Sequence, residues 1–245
     1  MIQTRTHGAV VEIALARSEK RNALTPDMLA DLARAIDEIP PDAAALLLGG
    51  DGGVFCAGFD LSLCKDAPGG EIMRALLEGL HRSIKALREL DIPVVVAAKG
   101  AAIAGGCALL GGADVVVTNS QAKLGYPVAR LGVSPAISAP FLRRLAGDGA
   151  TRTRMLENGL ISGCEALSCG MAHVCEDDAQ AVDPKALQIA TELGAKPRGS
   201  MAATKRWLAE VAPVELAMEA LAASMGLAGG AEERRLLPQA WAARG

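Results

Sequence analysis

The segment that most constrains the fold is a short apolar strand running directly into a glycine-rich turn, Pro93-Val-Val-Val-Ala-Ala-Lys-Gly-Ala-Ala-Ile-Ala-Gly-Gly-Cys107. Apolar residues follow it at 108–110, so the pattern predicts a strand, a loop and a helix start in succession. Main-chain N–H groups at a helix N-terminus have no intrahelical acceptor, and Gly105 and Gly106 would let an oxygen anion approach them. The same glycines would also permit close packing of helix against strand. Both interpretations are open from this segment alone.

Apolar strands alternate with amphipathic helices, which predicts an α/β fold with a largely parallel sheet covered on both faces. Strands are predicted at 9–16, 44–48 and 113–117, and the first helix follows the capping residue Thr25. The clearest helix covers 71–90, where apolar side chains repeat every three or four positions. Further helical patterns lie at 139–146, 150–158, 184–193, 200–211 and 214–225. The polar residues 232–235 are expected to cap the chain.

Charge and cysteine content exclude several classes of function. A net charge of -3 and a pI near 5.7 give no electrostatic basis for binding nucleic acid or an acidic membrane surface. We see no leader pattern at the N-terminus and no apolar run of membrane-spanning length, so we expect a soluble, cytoplasmic protein. The six cysteines form no Cys-x-x-Cys pair and the three histidines form no zinc motif. We therefore expect free thiols and no metal site.

Four motifs occur in order along nearly the whole chain: Ser18-Glu-Lys-Arg-Asn-Ala-Leu-Thr25, Phe55-Cys-Ala-Gly-Phe-Asp-Leu61, residues 93–107, and Gly125-Tyr-Pro-Val-Ala-Arg-Leu-Gly132. In content and spacing they resemble the crotonase superfamily, the enoyl-CoA hydratase and isomerase group. The resemblance implies a crotonase spiral of ββα units over residues 1–190. It also implies that residues 191–245 form a helical trimerisation region of the same domain, giving a homotrimer or a dimer of trimers.

The resemblance further implies an acyl-CoA thioester as substrate, with coenzyme A as part of that substrate and no separate cofactor. In the family, two main-chain N–H groups form an oxyanion hole for the thioester oxygen, and the matching residues here are Phe59 and Gly105. Such a pair stabilises an enolate, and losing one donor typically costs about 3 to 4 kcal/mol of barrier. The positions that match coenzyme A contacts are Arg21, Ala23, Ala57, Phe59, Asp60, Leu61 and Lys205.

The sequence departs from the family where protons are transferred. Ala108 and Val128 occupy the positions matched to the two hydratase glutamates, and neither side chain can carry a proton. The nucleophilic aspartate of the related aryl-CoA dehalogenases would fall at about Ala136. His81, on the long helix where those dehalogenases place a histidine, is the candidate acid or base, although a partly buried structural histidine is the alternative.

The remaining polar candidates have structural alternatives. Asp60 would order its turn through nearby main-chain N–H groups or assist at the site. Tyr126 would donate to a substrate oxygen or pack, and a cation at Lys20 or Arg21 would pair with the phosphates of coenzyme A or stay solvated. Further polar possibilities are Ser134, Glu71, Glu78 and Glu157.

Three functional hypotheses follow from these residues. The first is an acyl-CoA-binding enzyme of the enoyl-CoA hydratase/isomerase family, a lyase or isomerase of fatty acid metabolism that acts through a thioester enolate. The second is a non-catalytic acyl-CoA-binding or assembly subunit that kept the anion site without the acids. The third is another reaction of the family, such as decarboxylation, which depends on enolate stabilisation more than on a strong base.

Overall fold

The computed structural model describes residues 1–65 and 67–242, which alternate between strands and helices. The strands are β1 (Ile2–His7), β2 (Val10–Leu15), β3 (Ala45–Gly50), β4 (Val94–Ala98), β5 (Ala101–Ile103), β6 (Val115–Asn119), β7 (Lys123–Gly125), β8 (Leu160–Ser162) and β9 (Val174–Glu176). The helices are α1 (Pro26–Asp37), α2 (Glu71–Glu89), α3 (Gly105–Leu109), α4 (Ala139–Leu156), α5 (Gly163–Ser168), α6 (Ala179–Gly194), α7 (Arg198–Val211), α8 (Ala217–Met225) and α9 (Ala231–Ala242).

The main sheet has six strands in the order β1-β2-β3-β4-β6-β9. Its neighbouring strands are parallel except β1 and β2, which confirms the predicted parallel character. The predicted strand–helix–strand unit is present, since α1 connects β2 to β3 and Val10 pairs with Ala45. The sequence pattern does not predict β1, because this edge strand is mostly exposed and polar. A second sheet of β5, β7 and β8 lies apart from the first.

Different helices cover the two faces of the main sheet. α1 and α2 pack together, and their apolar side chains join a core that includes Ile13, Leu46 and Val94. α6 covers the other face, where Val182 and Ala186 pack against the side chains of β3, β4 and β6. The strands are therefore buried on both sides, which explains why they read as continuous apolar runs.

The separation of the helical patterns at 139–146 and 150–158 is confirmed, because α4 is kinked at Gly147, whose φ of 80° and ψ of 171° are not helical. Other predicted helix boundaries are wrong. α6 begins at Ala179 rather than at Pro184, because the Asp178 side chain accepts the Gln180 N–H at 2.9 Å and caps the helix. The polar residues expected to cap the chain form the start of α9 instead.

The C-terminal helices pack onto the rest of the chain. Leu221 of α8 and Leu237 of α9 are buried in the main core, and Arg74 of α2 donates to the Ala228 carbonyl at 3.0 Å. α6 runs without interruption across the division suggested at residue 190, so that division stays a sequence-based interpretation. α7 differs from its neighbours, because none of its residues is buried and Trp207 is exposed.

The two glycine turns are joined by their backbones. Cys56 donates its N–H to the Ala101 carbonyl at 3.0 Å and accepts the Ile103 N–H at 3.0 Å, which forms a parallel bridge beside β5. A Cβ at Gly106 would lie 2.6 Å from the Cys56 Cβ and 2.7 Å from the Cys56 carbonyl oxygen. Gly106 therefore serves the packing role considered for it, because no side chain fits between the turns.

Replacing Gly106 with alanine is expected to destabilise the fold by about 1 to 3 kcal/mol, since the added methyl group overpacks a contact with main chain. Urea denaturation followed by circular dichroism measures the change. The matched control is Gly199→Ala in α7, where an added Cβ meets nothing within 4 Å. We expect this control to be neutral or slightly stabilising, because alanine favours the helix. Equal effects of the two substitutions would contradict the packing role.

Candidate functional site

A cavity of about 100 Å³ lies between the two glycine turns, α2 and the segment from 126 to 138. We call it the central cavity. Its wall includes main chain and side chains of both turns, Met73, Leu77 and Leu80 of α2, and a mainly apolar final segment. The volume accommodates several water molecules and suits a small organic group. Among the described lining residues there is no aspartate, glutamate, histidine, lysine or cysteine.

Phe59 and Gly105 both line the central cavity. Gly105 is the first residue of α3, so its N–H has no intrahelical acceptor. Within the part of the chain that the structure describes, neither the Phe59 N–H nor the Gly105 N–H donates to a protein acceptor. A Cβ at residue 105 would lie 2.8 Å from Cε1 of the Phe59 ring. The structure thus brings two unused main-chain donors to one cavity, and a side chain at residue 105 would displace the Phe59 ring.

The backbone at Ala104, just before α3, is strained. Its φ of 50° and ψ of -110° are rare for a residue with a side chain, and its N–H is held by the Gly125 carbonyl at 2.8 Å. A conformation of this kind costs on the order of 1 to 3 kcal/mol and is maintained only by the surrounding structure. Here it turns the chain sharply from β5 into α3. The sequence gives little sign of this, because alanine is not a residue that favours positive φ.

Asn22 is a key residue of the site that the sequence analysis passed over. It is fully buried with φ 54°, its side-chain oxygen accepts the Arg17 N–H, and its amide donates to the carbonyls of Asp51 and Val54, each at 2.9 Å. Asparagine tolerates positive φ better than most residues, which is the available sequence signal. These bonds hold the 17–24 loop in place, and its Leu24 pairs in parallel with Phe59.

The predicted coenzyme A contacts before residue 62 do come together. The Arg21 carbonyl accepts the Ala57 N–H at 3.0 Å, and Ala23 lies in the same loop. Ala57 and Leu61 line the central cavity beside Phe59. The arrangement results from backbone pairing between the 17–24 loop and the first glycine turn.

Asp60 has the structural contacts that were considered for it. It forms an ion pair with Arg17 at 2.8 Å and accepts the Ser62 hydroxyl at 2.5 Å. It also accepts the Ser62 main-chain N–H at 3.3 Å, which caps a short 3-10 turn that begins at Leu61. Burial raises the pKa of the Asp60 carboxyl, but the hydrogen bonds from Ser62 and Arg17 outweigh it and lower that pKa below its usual value. The carboxylate stays ionised and its acceptor positions are occupied by these partners.

Lys205 is not brought to the central cavity within this chain. Its ammonium group forms an ion pair with Asp114 at 2.6 Å and donates to the Ile92 carbonyl at 2.7 Å. These partners lie at the amino ends of β6 and β4, whereas the two glycine turns follow the carboxyl ends of β3 and β4. The sequence pattern alone could not show that an acidic residue near one strand end engages this lysine.

His81 lies beside the central cavity but not on its described wall. Its neighbours Leu77 and Leu80 line the cavity, while the His81 ring packs edge-on against Phe141 with centroids 6.1 Å apart. Its Nδ1 is buried and has no hydrogen-bond partner among the described residues. Burial, followed by the positive charge of Lys85, lowers the pKa of His81 below its usual value. An acid or base role for this residue stays a prediction.

The other polar candidates separate into two groups. Tyr126 and Ser134 line the cavity, whereas Glu71, Glu78 and Glu157 are absent from its described wall. Tyr126 is buried, and burial raises its pKa well above the usual value, so its phenol remains neutral. Its polar contacts are with Cys107 and Ser138.

The two positions matched to the hydratase glutamates also differ in their surroundings. Val128 lines the cavity, while Ala108 is buried inside α3 and absent from the described wall. Arg130, which the sequence analysis gave no role, is a further lining residue. Its presence in a family motif was the available signal.

The described residues form neither a metal-binding cluster nor a membrane-spanning helix. No cluster of three or more histidine, cysteine, aspartate or glutamate side chains is placed to hold a metal ion. No helix within residues 1–65 and 67–242 combines the length and the apolar character needed to cross a bilayer.

The fold and the paired turns identify the family. The family model for enoyl-CoA hydratase/isomerase matches residues 5–228, which is most of the chain, so the chain belongs to this family. Its structure is crotonase-like, as the resemblance implied.

Known proteins agree with this assignment. The chain is 33% identical over 201 residues to enoyl-CoA hydratase EchA19 of Mycobacterium tuberculosis, covering 80% of this chain and 74% of that protein. An enoyl-CoA hydratase/isomerase structure from Xanthobacter autotrophicus has a TM-score of 0.88 and 26% identity, covering 98% of this chain and 93% of its own. One from Mycobacterium paratuberculosis has a TM-score of 0.87 and 25% identity, covering 97% of both chains.

Replacing Asn22 with alanine is expected to reduce the free energy of unfolding by about 3 kcal/mol, since it removes three buried hydrogen bonds and leaves alanine at positive φ. The matched control is Asn158→Ala, because Asn158 also has φ 54° but its side chain accepts one exposed bond, from the Ala129 N–H. We expect this control to lose about 1 kcal/mol. Chemical denaturation of both variants checks the difference, and similar losses would show that Asn22 does not hold the loop.

The lowered pKa of His81 predicts a pH dependence of stability. At neutral pH most of the imidazole is uncharged in both the native and the unfolded states. Below about pH 6.5 the unfolded state takes up a proton first, so the stability falls as the pH decreases towards the lower folded pKa. In a His81→Leu variant, the loss of unfolding free energy between about pH 7 and pH 5 should be smaller than in the wild type. Identical losses in both proteins would contradict the prediction.

Proposed function

We propose that this protein is an acyl-CoA-binding enzyme that stabilises a thioester enolate with the main-chain N–H groups of Phe59 and Gly105. The observation that carries the proposal is that these two donors line one cavity and have no acceptor among the described residues. The named hydratase relatives support an acyl-CoA substrate, because they are similar to this chain over most of its length. Coenzyme A enters as part of the substrate, and the proposal requires no other cofactor.

The chemistry follows from the charge that develops on the thioester oxygen. Loss of a proton or of carbon dioxide at the α-carbon moves an electron pair onto this oxygen. Two preset N–H donors in a mainly apolar cavity stabilise that charge more than the neutral ground state, because they need no reorganisation as it forms. Both donors belong to the main chain, so the aromatic ring of Phe59 is not itself required for them.

The remaining binding determinants are proposed from the same resemblance. Arg21 would meet the phosphates of coenzyme A, with Ala23, Ala57, Asp60 and Leu61 forming the nearby surface. Lys205 would take part only after exchanging its partner Asp114 for a ligand phosphate.

The assembly and location are proposed as well. A homotrimer or a dimer of trimers is supported by the large apolar side chains that α7 leaves exposed, namely Trp207, Leu208 and Val211. Burying such a surface against another copy would remove apolar area from water. We propose a cytoplasmic location, in keeping with the composition.

Decarboxylation is a second candidate reaction, and the lining of the central cavity favours it. Hydration needs a group that activates water and one that protonates the α-carbon, yet the described wall has no carboxyl or imidazole group. In decarboxylation the bond between the α-carbon and its carboxylate breaks, its electron pair forms the enolate, and carbon dioxide leaves. The α-carbon then takes a proton from water. This sequence relies on the oxyanion donors rather than on a strong base.

Binding and turnover measurements test the proposed function. Titration calorimetry with butyryl-CoA should show saturable binding, and a Gly105→Ala variant should bind about tenfold more weakly or worse, because its Cβ would displace the Phe59 ring beside the donors. Gly199→Ala is the control and should bind normally. Absence of binding by any acyl-CoA would overturn the proposal.

Turnover then separates the reactions. Loss of the enoyl absorbance of crotonyl-CoA would indicate hydration, while carbon dioxide release from malonyl-CoA or methylmalonyl-CoA would indicate decarboxylation. A His81→Leu variant with unchanged turnover would remove His81 from the mechanism. Tight binding without turnover of any of these esters would favour the non-catalytic acyl-CoA-binding subunit.

A further inference from the structure

Arg130 carries the only formal charge among the described residues that line the central cavity. The other titratable side chain in that wall is the phenol of Tyr126, which is neutral. Arg130 is exposed, which puts its side chain where the cavity meets solvent. Because a guanidinium group is always protonated in proteins, Arg130 places a positive charge on the wall of an otherwise uncharged cavity.

The Arg130 guanidinium has no counter-ion within the described chain. Its Nε donates to the Pro127 carbonyl at 3.1 Å, and no described carboxylate lies within ion-pair distance. The two terminal nitrogens make no hydrogen bond to the described protein. The bond to Pro127 restrains the guanidinium group at Nε and leaves the donors on its two terminal nitrogens available to a ligand. A carboxylate is the planar anion that matches such donors.

Ser134 offers a second donor in the same wall. Its hydroxyl oxygen accepts the Ala136 N–H at 3.2 Å, and its own proton has no acceptor among the described residues. The rest of the wall is mainly apolar, with Leu131, Val133 and Ile137 among its residues. The cavity therefore has polar donors, an apolar section and a cation, and it suits a short apolar chain with an anionic end.

We infer that the acyl group of the substrate ends in a carboxylate, so that the substrate is the coenzyme A monoester of a short dicarboxylic acid. This inference rests on the proposed function, since it assumes that the thioester lies at Phe59 and Gly105. The anion at Arg130 comes from the acyl group rather than from a coenzyme A phosphate. The proposed nucleotide contact Arg21 is paired with the first glycine turn through Ala57 and is not among the described lining residues, whereas Arg130 follows β7 and lines the cavity.

The test compares matched ligands by titration calorimetry. The wild-type protein is titrated with coenzyme A monoesters of dicarboxylic acids of roughly three to six carbons, chosen for the small cavity. Each is paired with the unbranched monocarboxylic acyl-CoA of the same carbon number. At least one diacid monoester should bind about tenfold or more tightly than its partner, as expected for a charge-assisted bidentate contact.

Variants assign that preference to Arg130. Arg130→Met should abolish the preference and leave the binding of the monocarboxylic esters unchanged, while Arg130→Lys should keep part of it. Arg34→Met is the matched control, because Arg34 is an exposed residue of α1 whose ion pair is with Asp31. This control should retain the full preference. Thermal denaturation checks that each variant is folded.

The other outcomes identify which step has failed. If both ligand series bind equally to the wild type, the inference is wrong while the proposed function stands. If Arg130→Met weakens both series by the same factor, Arg130 contacts coenzyme A itself, which also overturns the inference. The 3′-dephospho-CoA and pantetheine esters would then locate the contact. If no ester binds at all, the proposed function fails and the inference fails with it.

Discussion

The close approach of two backbone turns, with no side chain between them, is the constraint on which the site depends. Gly106 lies against the backbone of Cys56, so a larger residue there would separate the turns, while a larger residue at Gly105 would displace the Phe59 ring. The strain at Ala104 and the buried bonds of Asn22 both support this arrangement. The initial alternatives of packing and anion binding are thus not exclusive, because the packing is what brings the two donors to one cavity.

The sequence predicts the parts of this structure that depend on local pattern. Apolar runs and helical periodicity identify the core strands, α1 and α2, and glycine content identifies the two turns. The sequence pattern does not identify the hydrogen-bond and ion-pair partners that lie far away along the chain. Asn22 bonds to residues about thirty positions away, and Lys205 is engaged by Asp114, ninety-one positions distant. The pattern does not predict β1, because an exposed edge strand lacks the apolar residues on which strand prediction relies.

The central cavity has an uneven electrostatic character. The positive potential in the cavity comes from the two main-chain N–H groups and the Arg130 guanidinium. The described wall contains no carboxylate and no imidazole. Such a wall favours ligands and transition states that carry negative charge, and it lacks the groups that usually move protons. The family fold is compatible with this imbalance, because the residues that hold the turns together are distinct from the side chains that line the cavity.

The use of main-chain donors has a consequence for how a protein of this kind diversifies. Every amino acid except proline has a main-chain N–H donor, and the position of that donor depends on the backbone conformation. A change of side chain therefore does not easily remove it. Side chains at lining positions such as 128 and 130 are less constrained by packing, since residue 128 is only partly buried and residue 130 is exposed. Mutation can therefore change the side chains at positions 128 and 130 while the main-chain N–H groups of Phe59 and Gly105 stay in place.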